Sequence, residues 1–227
     1  MANFKKFLPK LLKFEGGYVD DPDDPGGKTN KGITLKTFKK YAVLLLNISP
    51  TVANLKRLTD TQAGIIYKIS FWDRIKGDKI RSQEVAEIIA DHLINAGSVS
   101  IKMVQIIANK MGASLSVDKK FGALTLAAIN KLNANDFHDN FKNARIIFYN
   151  ALAKRRPKLK KFLKGWLNRV DKFVSSKKKG SNISLNSTTD ISSIISVIRD
   201  QTNQINRRTK VTRTKLNELE KLLNDKT

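Results

Sequence analysis

The sequence contains no cysteine and only two histidines, and each scarcity excludes a class of chemistry. Without cysteine there is no disulfide, no thiol nucleophile and no thiolate metal ligand. The histidines, His92 and His138, are far apart, and neither belongs to an H-x-x-x-H or H-E-x-x-H pattern. A zinc site would need carboxylates for most of its ligands, which is unusual. We therefore expect neither a metal nor any other cofactor.

Long hydrophobic runs are also missing. The apolar run at residues 42–46 is far too short to cross a membrane. Lysines interrupt the apolar residues of the N-terminus, so the hydrophobic region of a secretory signal peptide is absent. There is no G-x-S-x-G elbow and no phosphate-binding glycine loop. The sequence thus predicts a protein made in the cytoplasm whose chemistry, if it is an enzyme, depends on carboxylates.

Acidic residues are scarce relative to basic ones. The 20 Asp and Glu stand against 43 Lys and Arg, which gives a formal net charge of +23. Such a balance indicates an anionic partner, for which nucleic acid, acidic lipid and the bacterial wall all qualify. Residues from 176 onward contribute +6, so the remaining +17 belongs to the earlier part of the chain. The excess is therefore not confined to a basic tail.

One segment near the start of the chain, residues 15–34, gathers acidic and turn-forming residues. An amphipathic helix, whose apolar face ends with Leu11 and Leu12, leads into it. Glu15 is the next position on that face, and Gly16 is the predicted end of the helix. Burial and the negative end of a helix both raise the pKa of a carboxyl group. The position therefore suits a general acid, which must stay protonated near neutral pH.

The run after Glu15 is rich in proline and glycine and predicts a tight hairpin or loop. Five of the 20 acidic residues fall between positions 15 and 24. Acids gathered beside a buried Glu are typical of a reaction site built on two carboxylates. From the residue types alone, a frayed helix end followed by a solvated acidic loop explains the segment equally well. The four acids after Glu15 are Asp20, Asp21, Asp23 and Asp24.

The segment EGGYVDDPDDPGGKTNKGIT resembles the signature of the glycoside hydrolase 108 muramidases, a lysozyme-like group that cuts the glycan strands of peptidoglycan. A match of this density is far more specific than a short motif. The resemblance implies that Glu15 is the catalytic acid. The matching positions are Glu15, Gly16, Gly17, Tyr18, Val19, Pro22, Asp24, Pro25, Gly26, Gly27, Thr29, Gly32, Ile33 and Thr34.

The resemblance also suggests a second carboxylate. Phage-type lysozymes of the broader superfamily place an Asp nine residues after the helix-end Glu, which is Asp24 here, and a Thr a few residues later. Thr29 or Thr34 can fill that last place, and we assign Thr29 to catalysis. The other three aspartates of the loop remain rivals of Asp24. The predicted substrate-binding residues are Tyr18, Thr34, Asn95 and Tyr149.

Matches to the family continue to about residue 173 and imply a second half that binds peptidoglycan. Asn95 fits either a ligand for water or a sugar amide, or the C-cap of a helix. Trp166 fits either a sugar-stacking platform or a core residue. In a turn that resembles V-D-G-x-I-G-P-x-T, Lys119 replaces the glycine and Ala123 the proline. The other matches include Asp91, Gly97, Arg145 and Arg169.

The predicted fold class is mostly α: a lysozyme-like domain with a small hairpin or loop at the active site, plus a C-terminal helical coiled-coil tail. Thr34 is the predicted N-cap of one helix, and Thr59 with Gln62 forms a capping box for another. Residues 47–55 are predicted to be a loop because Pro50 interrupts them.

The predicted organisation has four parts. Residues 1–95 form a lysozyme-like catalytic half, residues 96–174 a peptidoglycan-binding helical half of the same unit, and residues 175–189 a polar linker. In residues 190–225, Ile, Thr and Leu recur in a heptad pattern that predicts a coiled coil. Through it the protein would form a homo-oligomer or join a larger phage or secretion assembly. A lone amphipathic helix docked on the enzyme is the alternative.

The predicted function is hydrolysis of the β-1,4 bond between N-acetylmuramic acid and N-acetylglucosamine by carboxylate acid–base catalysis, for cell lysis, wall penetration or secretion. The predicted partner is bacterial peptidoglycan, reached through a holin, a secretion partner or a virus particle. The alternative is a non-catalytic, basic wall-binding or virion structural protein on the same scaffold. A nucleic-acid binder would explain the charge but not the acidic loop.

Overall fold

The computed structural model describes residues 1–20 and 27–176, together with the single positions 192, 195, 196 and 199. Over these residues the protein is mostly helical, as predicted, and contains one two-stranded antiparallel sheet. Almost all of the predicted linker (175–189) and coiled coil (190–225) lies outside the described residues.

Helix α1 (Phe4–Glu15) begins at Asn3, whose side chain accepts a hydrogen bond from the Lys5 amide. Its apolar face is buried, as the periodicity predicts. The helix ends at Gly16, with φ 66° and ψ −166°. This backbone region is essentially restricted to glycine, and it turns the chain away as soon as Glu15 has been placed on the buried side.

A short hairpin follows, formed by β1 (Thr29–Asn30) and β2 (Ile33–Thr34). Its two turn residues, Lys31 and Gly32, both have positive φ, 49° and 70°. A two-residue turn of this kind matches the twist of the strands it joins. Val19 pairs with Thr29 as an isolated antiparallel bridge, so the chain leaving α1 lies along the hairpin.

Helix α2 (Leu35–Leu46) is capped by the Thr34 hydroxyl, as predicted. The prediction of a loop over 47–55 was wrong in part, because a five-residue helix, α3 (Val52–Lys56), begins inside it. The Thr51 hydroxyl accepts a hydrogen bond from the Asn54 amide and so starts this helix after the proline.

The buried Asn30 side chain attaches the hairpin to the end of α3. Its amide nitrogen donates to the carbonyls of Leu55 (2.8 Å) and Lys56 (3.0 Å). These carbonyls belong to the last turn of the helix, where intrahelical donors have run out. The hairpin is therefore held in place from outside as well as by its own ladder.

Helix α4 (Asp60–Tyr67) carries the predicted capping box between Thr59 and Gln62. It continues into a π-helical turn (Lys68–Trp72) and two 3₁₀ turns (Asp73–Ile75 and Gly77–Lys79). The π-helical turn buries Trp72 against Phe7 of α1, with ring centroids 5.8 Å apart. Trp72 is therefore a core residue.

The remaining elements are helical. Helix α5 packs against α6 and α8, and α8 packs against α9. This arrangement brings α9 back to the ends of α1 and α5. The bounds are α5 (Gln83–Ala96), α6 (Val99–Lys110), α7 (Ala123–Lys131), α8 (Ala134–Arg155), a 3₁₀ segment (Pro157–Phe162) and α9 (Leu163–Asp171).

Candidate active site

Glu15 lies at the C-terminal end of α1, and its side chain is 15% exposed. One carboxylate oxygen, Oε1, accepts a hydrogen bond of 2.7 Å from Nη2 of Arg169 on α9. The side chain of Arg169 is 13% exposed. The pair therefore stands at the edge of the core, where a small part of each group still reaches solvent.

The Arg169 guanidinium also binds Asp91 of α5. Its Nε lies 2.9 Å and its Nη2 2.7 Å from Asp91 Oδ1. The other oxygen of Asp91 accepts a 2.6 Å hydrogen bond from Nη2 of Arg145, and both of these side chains are fully buried. Two carboxylates and two guanidinium groups thus alternate from the core to the site. We call this set the charge chain: Glu15, Arg169, Asp91 and Arg145.

The environment of Glu15 sets its acidity in opposing ways. Burial raises the pKa of the Glu15 carboxyl, whereas the positive charge and hydrogen bond of Arg169 lower it, and the nearby negative charge of Asp91 raises it again. Burial dominates, so the pKa of Glu15 lies above its ordinary value. A carboxyl group with a raised pKa is better suited to proton donation than an ordinary one.

The second oxygen of Glu15 faces the hairpin turn. A Cβ at Gly32 would collide with Glu15 Oε2 and with the Tyr67 hydroxyl, so only glycine lets the backbone approach this closely. Tyr67 Oη donates a 2.8 Å hydrogen bond to the Lys31 carbonyl. Burial and the negative charge of Glu15 both raise the pKa of Tyr67, which stays a neutral donor. The turn is thereby fixed against the acid.

A cleft of about 410 Å³ opens beside Arg169, between the ends of α1 and α5 and one face of α9. Arg169 also stacks over the ring of Phe14, with 4.7 Å between the guanidinium carbon and the ring centroid. Amide, ammonium and aromatic groups line the same space, a mixture that suits a sugar ligand. The lining residues are Phe14, Asn95, Gly165, Trp166, Asn168, Arg169 and Lys172.

Of the predicted substrate-binding residues, Asn95 lines this cleft. Its amide nitrogen donates to the Asp91 carbonyl one turn earlier (2.7 Å), and the helix C-cap is Gly97. Tyr149 is 3% exposed, and its ring stacks on Trp166 at 5.2 Å. Its position favours a supporting role, holding Trp166, over direct contact with a sugar.

The hairpin carries the other predicted residues. The Thr29 hydroxyl donates to the Gly27 carbonyl (3.0 Å), and Thr29 pairs with Thr34 across the ladder. The Thr34 hydroxyl caps α2. Tyr18 lies beneath the Lys56 ammonium, 4.8 Å from the ring centroid, and donates to Asp20 (3.3 Å). The structure brings these groups to the hairpin side of the site, whereas Asp24 lies outside the described residues.

Asp91, Arg145 and Arg169 match the family pattern, but no role for them was predicted from the sequence. A signal was present, because each lies on the otherwise apolar face of its helix. A charged residue at such a position predicts a buried partner of opposite sign. Periodicity does not identify that partner, since Arg169 is 154 residues from Glu15 and 78 from Asp91.

Comparison with known proteins identifies the relatives of this arrangement. The family model described as Glycosyl hydrolase 108 matches residues 8–97, and the model described as Predicted Peptidoglycan domain matches residues 99–171. The solved structure of Brucella abortus SagA superimposes with a TM-score of 0.60 at 30% sequence identity, covering 86% of this chain and 95% of that one. The chain belongs to the glycosyl hydrolase 108 family. No curated protein matches it.

Membership in the glycosyl hydrolase 108 family confirms the family and the enzyme class that the sequence predicts. The protein is a glycoside hydrolase of the lysozyme-like type that acts on peptidoglycan, with a helical peptidoglycan-binding region after the catalytic one. Within the described ranges, no group of three His, Asp or Glu side chains is arranged to hold a metal ion. Across that same part of the chain, no helix is long and apolar enough to span a membrane.

Proposed function

We propose that this glycosyl hydrolase 108 protein is an N-acetylmuramidase, which cleaves the β-1,4 bond between N-acetylmuramic acid and N-acetylglucosamine with Glu15 as the general acid. The supporting observation is the environment of Glu15: a carboxyl group at a helix end, mostly buried, with a raised pKa and a small exposed area. A structural carboxylate has no need of a raised pKa, whereas a general acid does.

The two oxygens of Glu15 have different neighbours, which suggests where the proton lies. Oε1 accepts from Arg169, so the acidic proton belongs on Oε2, beside Gly32. From there it is donated to the leaving glycosidic oxygen. Once the proton has left, Arg169 stabilises the carboxylate that remains. The same arginine therefore limits the pKa before the transfer and pairs with the charge after it.

The second carboxylate of the mechanism is proposed to be Asp24, with Thr29 beside it. Cleavage of a glycosidic bond passes through a transition state with positive charge at the anomeric carbon. A carboxylate on the loop that follows Glu15 would stabilise that charge or orient a water molecule. The proposal predicts that Asp24→Asn lowers the rate by about two orders of magnitude or more. A much larger loss in Asp20→Asn would transfer the role to Asp20.

The decisive variant is Glu15→Gln, which keeps the shape of the side chain but has no acidic proton. It should abolish the fall in turbidity of purified cell walls, whereas Glu84→Gln, at the start of α5, should not. Mass spectrometry of wild-type products should show reducing ends at muramic acid. Anhydro-sugar products would replace hydrolysis by lytic transglycosylation, and Glu15→Gln activity within a few-fold of wild type would contradict the acid role.

The proposed organisation of the chain keeps residues 1–95 and 96–174 as two halves of one unit, followed by a linker and a helix that binds a partner. Phe173 is buried, and the Ser176 hydroxyl donates to Glu84 Oε1 at 2.8 Å. A truncation should therefore end after Ser176. We expect that form to be monomeric and lytic, and the whole chain to be oligomeric or assembly-bound, as measured by light scattering. Loss of lysis on truncation would place the tail within the enzyme.

A further inference from the structure

The positive charge of the protein has a local maximum. Residues 140–170 contain ten Lys and Arg and no Asp or Glu. Three of the ten have acidic partners: Arg145 and Arg169 bind Asp91, and Lys142 lies 3.7 Å from Asp171. Because these three are paired with Asp91 or Asp171, they do not contribute to the local excess of positive charge.

The other seven cations form one surface, at the end of α8, along the 3₁₀ segment and at the start of α9. Among the described residues none of the seven has an acidic partner. All are exposed except Arg156, which is half-buried. We call this set the cationic surface: Lys154, Arg155, Arg156, Lys158, Lys160, Lys161 and Lys164.

The local backbone concentrates these charges. In a 3₁₀ helix, side chains three positions apart align along one edge, so Lys158 and Lys161 project from the same side. Arg155 and Arg156 stand immediately before this segment. Seven like charges within eleven residues repel one another and destabilise the folded state unless an anion is bound. A bound anionic ligand would offset this repulsion and explains the cluster best.

The chemistry of the cationic surface favours a polymer over a membrane. Its one large exposed apolar side chain is Phe162, 48% exposed, and the Lys161 ammonium lies 5.0 Å above that ring. Binding in a bilayer interface requires a continuous apolar face, which is missing here. Guanidinium groups such as those of Arg155 and Arg156 match phosphate oxygens through paired hydrogen bonds.

The location of the surface points to the cell wall. It lies within residues 99–171, the part that matches the peptidoglycan-domain model. Phe162 contacts Trp166 with ring centroids 6.0 Å apart, and Trp166 lines the cleft beside Arg169. The cationic surface and the cleft are thus neighbours, joined by two aromatic rings, and both can face the same wall.

We propose that the cationic surface is a docking site for a phosphate-rich anionic polymer attached to peptidoglycan. The polymer holds the enzyme on the wall while the glycan strand enters the cleft. Binding is electrostatic and independent of the sequence of the glycan. The proposal goes beyond hydrolysis, because it assigns a second ligand at a surface that does not touch the bond to be cleaved.

The test compares two triple variants of the whole chain that lose the same charge. Lys158→Gln, Lys160→Gln and Lys164→Gln remove three cations of the surface. Lys36→Gln, Lys39→Gln and Lys131→Gln remove three exposed cations elsewhere. Both carry Glu15→Gln so that the wall is not digested, and circular dichroism confirms their folding. Sedimentation measures their binding to walls that retain the polymer and to walls stripped of it with hydrofluoric acid.

We expect the surface variant to bind intact walls about tenfold or more weakly than its parent, with a shallower dependence on salt, because fewer counterions are released. The control variant should stay within about twofold. Stripping the wall should weaken the parent and abolish the difference between the variants. These results do not depend on which bond is cleaved, so they can hold even if the muramidase assignment fails.

Three results would overturn the proposal. Equal losses in the two triple variants would mean that net charge alone holds the protein to the wall. Equal binding of the parent to intact and stripped walls would exclude the phosphate polymer. Stronger competition by a DNA oligomer than by the isolated polymer at equal phosphate concentration, or stronger binding to phosphatidylglycerol vesicles, would assign the surface to nucleic acid or to lipid.

Discussion

The region up to Gly97 and the region from Val99 onward contribute to the site in different ways. The first supplies Glu15, which we propose as the general acid, the glycine turn that lies against it and the tyrosine that holds the turn. The second supplies positive charge, through Arg145 and Arg169. The position of Glu15 is thus set by residues close to it in the first region, whereas its acidity also depends on Arg169 of α9 in the second.

The two regions also differ in how they are built. Between its longer helices α1, α2 and α5, the first contains several short elements: a two-residue turn, a five-residue helix, a π-helical turn and two 3₁₀ turns. The second includes the 22-residue helix α8, which holds the fully buried Arg145, and the shorter α9, which holds the mostly buried Arg169. Asp91 links the two regions, because it belongs to the first but binds both arginines of the second.

The largest expected effect is the loss of stability when the ion pairs of Asp91 are removed. Asp91→Asn leaves two guanidinium groups in the core without their shared carboxylate. Removal of one partner from a buried ion pair typically costs about 3–5 kcal/mol of unfolding free energy. Asp171→Asn is the matched control, because its side chain is 71% exposed and its pair with Lys142 is loose; it should cost less than about 1 kcal/mol. Urea denaturation measures both, and equal losses would refute the coupling.

The next effect sharpens the role of the first region. Gly32→Ala places a methyl group where Glu15 Oε2 and the Tyr67 hydroxyl now lie. Displacement of a catalytic group by about 1 Å lowers rates about a hundredfold, so wall hydrolysis should fall by that order. Gly112 also has a positive φ, 96°, at which any side chain is strained, but no atom lies within 4 Å of a Cβ added there. The turnover of Gly112→Ala should stay within a few-fold of wild type, and a similar loss in both variants would assign the effect to backbone strain.

These contrasts show what the sequence predicts and what it leaves out. Glu15 became a candidate because an acid on an apolar stripe breaks a regular pattern, but its role as the catalytic acid was implied by the resemblance to the family. Thr34 and Thr59 were predicted as caps because caps are local. The short helix after Pro50 was missed because five residues carry little periodicity. The pairing of Arg169 with Glu15 was not predicted because contacts across long chain separations depend on tertiary packing, which no local pattern encodes.

A third prediction concerns pH and the contribution of the second region. A general acid works while protonated, so activity should fall as pH rises through the Glu15 pKa. Arg169 lowers that pKa, and Arg169→Gln should therefore move the alkaline limb of the pH–rate profile to higher pH, with a lower maximum. Arg57→Gln, at an exposed arginine in the first region, is the control and should leave the limb in place. An unmoved limb in the Arg169 variant would show that this guanidinium does not set the acidity.

The smallest effect lies in the second region, in the turn before α7. Lys119 stands where the family motif has glycine, and its φ is 65°. A residue with a Cβ in this conformation costs about 1–2 kcal/mol of folding free energy, and replacement by glycine removes that cost. Glycine offsets part of the gain, because it loses more conformational entropy on folding. Lys119→Gly should raise stability by about 0.5–1 kcal/mol and leave hydrolysis unchanged. Thermal denaturation decides it, and a lower melting temperature would mean that the lysine side chain stabilises the turn.

The pairing of Glu15 with Arg169 also has a consequence for how the enzyme is made. A ribosome completes α1 long before it reaches α9, so a nascent chain that has folded its first region holds Glu15 without its guanidinium partner. The electrostatic setting of the acid is completed only when residue 169 has emerged and α9 has docked. Fragments released before α9 has been translated therefore lack the contact between Arg169 and Glu15. Activity on the wall therefore requires a chain that extends at least through α9.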